Sequence, residues 1–179
     1  IMPTTKECIL EFENNWVTIW FNRPEKRNSL SKVLIKEINQ TLDFINNEPS
    51  IRGAIFRGKG NVFCAGADLK WMQSIASEKN GANDLAIEMS MRFGEMFTKI
   101  NHLSKITISI VEGACMAGAV GIVSGTDFLV TTSDAKFALT ETRIGLTPAQ
   151  IAPYVLTKVG FKIGKKLMLL GNIFDGDEA

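Results

Sequence analysis

The stretch GNVFCAGADLKWM, residues 60–72, joins a short apolar run to a segment whose spacing predicts a helix. Residues 62–64 are typical of a buried strand, and three small residues, 65–67, separate them from the acid Asp68. Small residues at the start of a helix leave its unpaired backbone N–H groups open to a ligand. The stretch therefore predicts a strand-to-helix turn that meets its ligand through backbone.

A second junction repeats this design. The predicted strand at 106–111 runs through residues 113–116 into Ala117, Gly118 and Ala119, which open a predicted helix over 117–125. The N-terminus of a helix carries free N–H donors and the positive end of the dipole. Two such donors aimed at one point form an oxyanion hole, which stabilises an enolate or a tetrahedral oxyanion. For either junction alone, close packing of strand on helix is the alternative explanation.

Composition limits the function classes. The chain has 179 residues, of which 45% are hydrophobic and 22% charged, which predicts one domain over residues 1–179. Twenty basic and 19 acidic residues give a net charge of +1, which offers no electrostatic support for a nucleic-acid or membrane partner. No apolar run is long enough to span a bilayer and the start lacks a signal-peptide pattern, so we expect a cytoplasmic protein.

The cysteines and the histidine do not predict metal or triad chemistry. Cys8, Cys64 and Cys115 are widely spaced and contain no C-x-x-C pair, so we expect buried, reduced thiols and no metal site. His102 is the one histidine and lies at the predicted end of a helix, where histidine is a common polar terminator. The sequence also lacks a P-loop motif, a G-x-G-x-x-G helix start and a G-x-S-x-G elbow.

The order of elements predicts an α/β fold. Alternating or short apolar runs predict strands over 8–13, 16–21, 53–58, 106–111, 127–132 and 136–139. Helical spacing predicts helices over 31–47, 86–100, 117–125, 147–160 and 161–171. Thr147 and Pro148 are expected as N-cap and N1 of the fourth of these helices, residues 74–84 as a mobile polar loop, and the final FDGDEA as the start of another helix.

Four stretches carry a resemblance to a known family. They are NRPEKRNSL (22–30), GNVFCAGADLKWM (60–72), VEGACMAGAVGIVSGTDFLV (111–130) and AKFALTETRIGLTP (135–148). In order and spacing they resemble the signatures of the crotonase, or enoyl-CoA hydratase/isomerase, superfamily. The resemblance implies a spiral of ββα units that binds an acyl-CoA thioester, assembly into a homotrimer or hexamer, and no cofactor apart from the coenzyme A of the substrate. It also implies a C-terminal helical segment, which this chain is expected to lack.

The resemblance implies roles for individual residues. The thioester carbonyl would lie between the N–H groups of Ala67 and Gly118, and the adenine against the backbone of residues 65–70. Lys26 and Arg27 would approach the phosphates, although a solvated loop explains them equally well. Asp68 is expected to cap a helix rather than to catalyse. The implied CoA-thioester contacts are Lys26, Arg27, Ala65, Ala67, Asp68, Leu69, Lys70 and Gly118.

The resemblance places acids at two points, and this sequence retains one. Glu141 matches the second acid, whereas Gly121 stands where the first is expected. One carboxylate suffices for a double-bond shift, and it suffices for hydration if it acts through one bound water. A finer resemblance, to bacterial hydratases of methylglutaconyl-CoA-type substrates, favours an enoyl-CoA hydratase. A double-bond isomerase, another reaction of the same superfamily and a non-catalytic CoA-binding protein are the alternatives.

Overall fold

The computed structural model describes residues 2–179, which form two β-sheets and a set of surrounding helices. The strands in chain order are β1 Cys8–Glu13, β2 Trp16–Phe21, β3 Gly53–Gly58, β4 Ile106–Val111, β5 Ala114–Met116, β6 Phe128–Thr131, β7 Lys136–Ala138 and β8 Phe174–Asp175. The helices are α1 Lys32–Asn47, α2 Leu69–Ala76, α3 Ala82–Asn101, α4 Gly118–Gly125, α5 Ala152–Val159 and α6 Phe161–Leu170. The α/β class predicted from the sequence is confirmed.

The larger sheet has the order β1-β2-β3-β4-β6. Its first two strands form an antiparallel hairpin, whose turn residues Asn14 and Asn15 both have positive φ. The other neighbours pair in parallel. Alternating residues of β2, namely Val17, Ile19 and Phe21, are fully buried and pack into the core under α1.

The smaller sheet has the order β5-β7-β8, with β5 and β7 parallel. The chain visits the two sheets in turn: β4 joins the large sheet, β5 the small one, and α4 follows; β6 and β7 then repeat the alternation before α5. This alternation produces successive ββα units. As a result, the ends of the small-sheet strands lead directly into helices and turns on one side of the molecule.

The strand predicted at residues 62–64 is wrong, because the structure forms only a single bridge there, between Cys64 and Cys115. The carbonyl of Val62 accepts a hydrogen bond from the side chain of Asn28 at 2.7 Å rather than from a neighbouring strand. Asn28 is fully buried, also donates to the carbonyl of Lys59, and accepts from the N–H of Arg23. The side chain of Asn28 thus takes the place of strand-to-strand hydrogen bonds and links residues 60–72 to the NRPEKRNSL segment.

Three other expectations need correction. The polar loop predicted at 74–84 is shorter in the structure, because α2 continues to Ala76 and α3 begins at Ala82. Gly81, with a positive φ, is the N-cap of α3. Thr147 and Pro148 do not cap a helix, since α5 begins at Ala152. Pro153, in its first turn, has no N–H and so cannot form the helical hydrogen bond to the residue four positions earlier. The final residues contain the short strand β8, paired with β7, instead of a helix.

Several smaller expectations can also be compared with the structure. All three cysteines are free and buried, and His102 is the C-cap of α3, as predicted. Within residues 2–179 no helix is both long and apolar enough to cross a bilayer. The C-terminal helices bury Ile151 and Val155 but leave a set of large apolar side chains exposed: Val159, Phe161, Ile163, Leu169 and Leu170.

Candidate active site

One row of residues crosses the small sheet and aligns three functional segments. Cys64 bridges Cys115 in parallel, and Cys115 is paired in parallel with Phe137. Ala67 lies three residues beyond the first member of the row and Gly118 three residues beyond the second. Glu141 lies four residues beyond the third. Because parallel segments leave a sheet at the same edge, Ala67, Gly118 and Glu141 are brought to one place.

Both small-residue turns depend on a left-handed residue directly before the expected donor. Gly66 has φ +91° and precedes Ala67, and Ala117 has φ +52° and precedes Gly118. The two turns touch, since a Cβ added at Gly66 would lie 3.0 Å from the Cβ of Ala117. A non-glycine residue at this φ is strained, and such strain concentrates at functional sites. The strain at Ala117 is consistent with a backbone held in shape for a ligand.

The hydrogen bonding around these turns leaves two N–H groups open. Leu30 donates to the carbonyl of Gly66 and accepts from the N–H of Asp68, so the N–H of Ala67 points away from Leu30. Gly118 is the first residue of α4, a position whose N–H has no partner within the helix. Within residues 2–179, neither N–H has a hydrogen-bond acceptor.

Ala67, Gly118 and Glu141 line a common cavity of about 290 Å³. Much of its wall is apolar, including Leu69, Met72, Phe93, Phe97, Ile144 and Ile151. Its polar side chains in the described chain are Ser90, Thr140, Glu141, Thr147 and Gln150. The cavity thus combines two backbone donors, one acid and an apolar wall that suits an acyl chain.

Glu141 begins a 3-10 turn, Glu141–Ile144, just after β7. Its Oε2 is buried and has no hydrogen-bond partner in the described chain. Burial raises the pKa of Glu141 above the ordinary carboxyl value, and a hydrogen bond from its own backbone N–H opposes only part of that effect. A desolvated carboxylate of this kind is a stronger base than a solvated one, as a general base requires.

The space beside Gly121, where the resemblance places another acid, is filled. A Cβ added there would lie 2.3 Å from Cγ2 of Ile151 and 2.9 Å from Cε1 of Phe97. Both side chains belong to the apolar core, so the position cannot hold a carboxylate unless they move. The missing acid is evident from the sequence, but the side chains that fill its place are not, because Ile151 and Phe97 lie far from position 121 along the chain.

Asp68 caps α2, as predicted. Its carboxylate accepts from the N–H of Lys70 at 2.9 Å and of Trp71 at 3.2 Å, and Arg23 donates to it at 3.0 Å. Burial alone would raise the pKa of Asp68, but these bonds and the charge of Arg23 outweigh it and lower the pKa. Asp68 is therefore held ionised as an anchor, next to the donor residue Ala67.

The other expected CoA contacts lie on the surface around the same turn. Lys26 and Arg27 are exposed, and neither forms an ion pair within residues 2–179. The carbonyl of Arg27 accepts from the N–H of Ala65 at 3.0 Å, which places the backbone of Arg27 beside that of Ala65. Leu69 and Lys70 are exposed in the first turn of α2. In the described chain, no group of three or more His, Cys, Asp or Glu residues is placed to hold a metal ion.

Comparison with known proteins identifies the family. A sequence model described as enoyl-CoA hydratase/isomerase matches residues 11–179. The chain belongs to the enoyl-CoA hydratase/isomerase family. Its fold is therefore the crotonase-like α/β fold that the resemblance implied.

Individual members of the family show how far the similarity extends. The chain is 30% identical over 176 residues to a crotonyl-CoA hydratase of Syntrophomonas wolfei, covering 97% of this chain and 65% of the relative. It is 30% identical over 173 residues to human mitochondrial methylglutaconyl-CoA hydratase, covering 95% and 49%. A solved enoyl-CoA hydratase/isomerase from Marinobacter aquaeolei superimposes with a TM-score of 0.91 at 38% identity, covering 97% and 66%. The chain thus spans two thirds or less of the length of these relatives.

The filled space at Gly121 leads to a stability prediction. Gly121→Ala should lower the free energy of unfolding by about 1–3 kcal/mol, because the new methyl group collides with Ile151 and Phe97. Gly125→Ala, in the same helix, is the matched control, since its Cβ would make ordinary contacts of 3.4 Å and longer. Urea unfolding of both variants measures the difference. Equal stability of the two variants would contradict the packing described for position 121.

Proposed function

We propose that this chain forms the core of an enoyl-CoA hydratase, in which the N–H groups of Ala67 and Gly118 stabilise a thioester enolate and Glu141 transfers the protons. The observation that carries the proposal is the convergence of two open amide donors and one desolvated carboxylate on one largely apolar cavity. The membership of the family supports the acyl-CoA substrate class.

The coenzyme part of the substrate is assigned to the surface next to the cavity. The adenine would lie against the backbone of residues 65–70, and Lys26 and Arg27 would meet the phosphates. Their exposure, their lack of ion-pair partners in residues 2–179 and the bond between Arg27 and Ala65 support this assignment. Cationic side chains that have no ion-pair partner in the free protein suit phosphate binding, because no existing ion pair has to be broken.

The residues present support a complete hydration step. Glu141 takes a proton from water while the water oxygen bonds to the β-carbon of the enoyl group. The electron pair of the double bond moves onto the thioester oxygen, where the two N–H groups stabilise the enolate. Glu141 then gives the proton to the α-carbon and the carbonyl re-forms. The sum is the addition of one water, with Glu141 unchanged.

A double-bond isomerase is the second candidate. Position 121 favours it, because the family's other acid is absent and the space is closed by Ile151 and Phe97. The hydratase names of the similar proteins support hydration. The similarity to the human methylglutaconyl-CoA hydratase supports a short, branched substrate of that type. The exposed apolar side chains of α6 support the packing of this helix against further chain, a neighbouring subunit of a homotrimer or hexamer, or both.

The donor role of Gly118 predicts a difference between two substitutions. Gly118→Pro should remove the N–H and lower kcat by roughly 10²–10³-fold, whereas Gly118→Ala, which keeps the N–H, should stay near wild type. An alanine Cβ at position 118 would make ordinary contacts of 3.5 Å. Proline is tolerated at the first residue of a helix but restricts the residue before it, Ala117, so circular dichroism first establishes that the Gly118→Pro protein is folded. Steady-state kinetics on enoyl-CoA substrates measures the effect. Unchanged turnover in a folded Gly118→Pro protein would rule out this donor.

Glu141→Gln should separate activity from stability. The variant cannot exchange protons, so kcat should fall by at least roughly 10²–10⁴-fold. Because burial raises the pKa of Glu141, the ionised side chain destabilises the folded state at neutral pH; the variant should therefore be the more stable protein there, with the difference vanishing below the ordinary carboxyl pKa. In wild type, activity should fall as the pH drops through the raised pKa. Thermal unfolding tests the stability claim, and a variant no more stable than wild type at neutral pH would contradict it. Steady-state kinetics and the pH–rate profile of wild type test the activity claim, and a variant that retains turnover would contradict that one.

Isotope labelling distinguishes the two candidate reactions. In ¹⁸O-labelled water a hydratase places solvent oxygen in its product, whereas an isomerase moves the double bond without adding oxygen. We expect ¹⁸O in the product when a panel of short enoyl-CoA substrates is examined by mass spectrometry. A migrated double bond with no ¹⁸O in any product would reject hydration and support the isomerase.

A further inference from the structure

A hydrogen-bonded pair of side chains on the cavity wall has no part in the steps above. Ser90 lies on α3, and Gln150 lies in the turn that precedes α5. Nε2 of Gln150 donates to Oγ of Ser90 at 2.8 Å, and both residues line the cavity that contains Glu141. The pair places an oriented amide in a wall that is otherwise largely apolar.

Gly94 forms the surface on which this amide rests. A Cβ at Gly94 would lie 2.6 Å from Oε1 of Gln150 and 3.3 Å from its Cδ. The amide therefore sits on bare helix backbone, one turn along α3 from Ser90. The hydrogen bond to Ser90 and the close contact with the backbone of Gly94 together fix the orientation of the amide.

The ring of Phe93, on the same helix, connects this pair to the turn at Gly118. Ser90 and Gly94 flank Phe93 on α3, and a Cβ added at Gly118 would lie 3.5 Å from the ring of Phe93. Gln150 itself is exposed to solvent and also lines the cavity. Its amide can therefore be reached both from solvent and from the cavity.

Oε1 of Gln150 receives no hydrogen bond from residues 2–179, and neither does Oε2 of Glu141. A second group that orients the water would assist the single carboxylate, and Gly121 cannot supply one. The hydroxyl groups of Thr140 and Thr147 also line the cavity, but no hydrogen bond in the described chain orients either of them. Gln150 is the lining group with both a free acceptor and a fixed orientation.

We propose that Oε1 of Gln150, positioned by Ser90 and Gly94, accepts a hydrogen bond from the attacking water and holds it for Glu141. One hydrogen of the water points to Glu141 and is transferred, and the other points to Gln150 and stays on the oxygen. The amide takes up no proton, so the balance of the hydration step is unchanged. This assignment rests on the hydratase function proposed above.

The test compares two reactions of the full chain. Hydration of crotonyl-CoA, followed by loss of the conjugated thioester absorbance, needs the positioned water. Exchange of the α-protons of butyryl-CoA with D₂O, followed by mass spectrometry, needs only Glu141 and the two N–H donors. Gln150→Met should lower the hydration kcat by about 10- to 100-fold, the cost of a misplaced reactant. The fold-loss in the rate of α-proton exchange should be at least about tenfold smaller than the fold-loss in hydration.

Gly94→Ala gives an independent approach. Its methyl group should push the flexible end of Gln150 aside at little cost to folding, since alanine favours a helix. It should lower hydration in the same way, and the double variant Gly94→Ala/Gln150→Met should be no worse than Gln150→Met alone. Gln40→Met, on the exposed face of α1, is the matched control and should match wild type.

Each outcome supports or overturns a definite claim. Equal losses in hydration and exchange, no loss in either, or additive losses in the double variant would overturn the role of Gln150. A wild-type chain that exchanges α-protons but hydrates no enoyl-CoA would instead overturn the hydratase function. Selective and non-additive loss of hydration is the result that the proposed role requires.

Discussion

The structure of the site depends on the parallel row that Cys64, Cys115 and Phe137 form across the small sheet. Each member leads, within three or four residues, to one component of the site, so a single register sets the relative positions of two amide donors and one acid. The backbone bonds from Cys64 to Ala114 and from Met116 to Cys64, both 3.0 Å, hold that register. A shift of one residue would turn a donor away from the cavity.

Environment, more than residue type, separates the roles of the acids. Asp68 accepts bonds from Arg23 and from two backbone N–H groups, which lower its pKa and fix it as an anchor. Arg23 also pairs with Glu7, so the anchor extends to the segment just before β1. Glu141 has a buried oxygen without a partner, and burial raises its pKa. One acid is thus held ionised by its hydrogen-bond partners, whereas the other is desolvated on the wall of the cavity.

Local sequence signals predicted much of the fold and the site. The strands at 8–13, 16–21, 53–58 and 106–111 have the predicted bounds, because alternation and turn residues are local properties. The cap at Asp68 likewise follows from residue type and position. The two open N–H groups lie at the quoted junctions, as small residues before a helix had suggested.

What the sequence could not predict depends on contacts between distant residues. The run at 62–64 is not a strand because the buried side chain of Asn28 binds its carbonyl. The space beside Gly121 is closed by Ile151 and Phe97, which no local pattern relates to it. Gly94, a glycine inside a helix, is a local sign that another group packs closely against α3. In the structure that group is the side chain of Gln150.

The central claim is that the N–H groups of Ala67 and Gly118 bind the same oxygen. A crystal structure of the Glu141→Gln protein with an enoyl-CoA bound would test it most directly, because the substrate would remain unreacted. The account predicts the thioester oxygen about 3 Å from both backbone nitrogens, with its acyl chain in the cavity. A thioester oxygen bonded to water, or to only one of the two nitrogens, would contradict it.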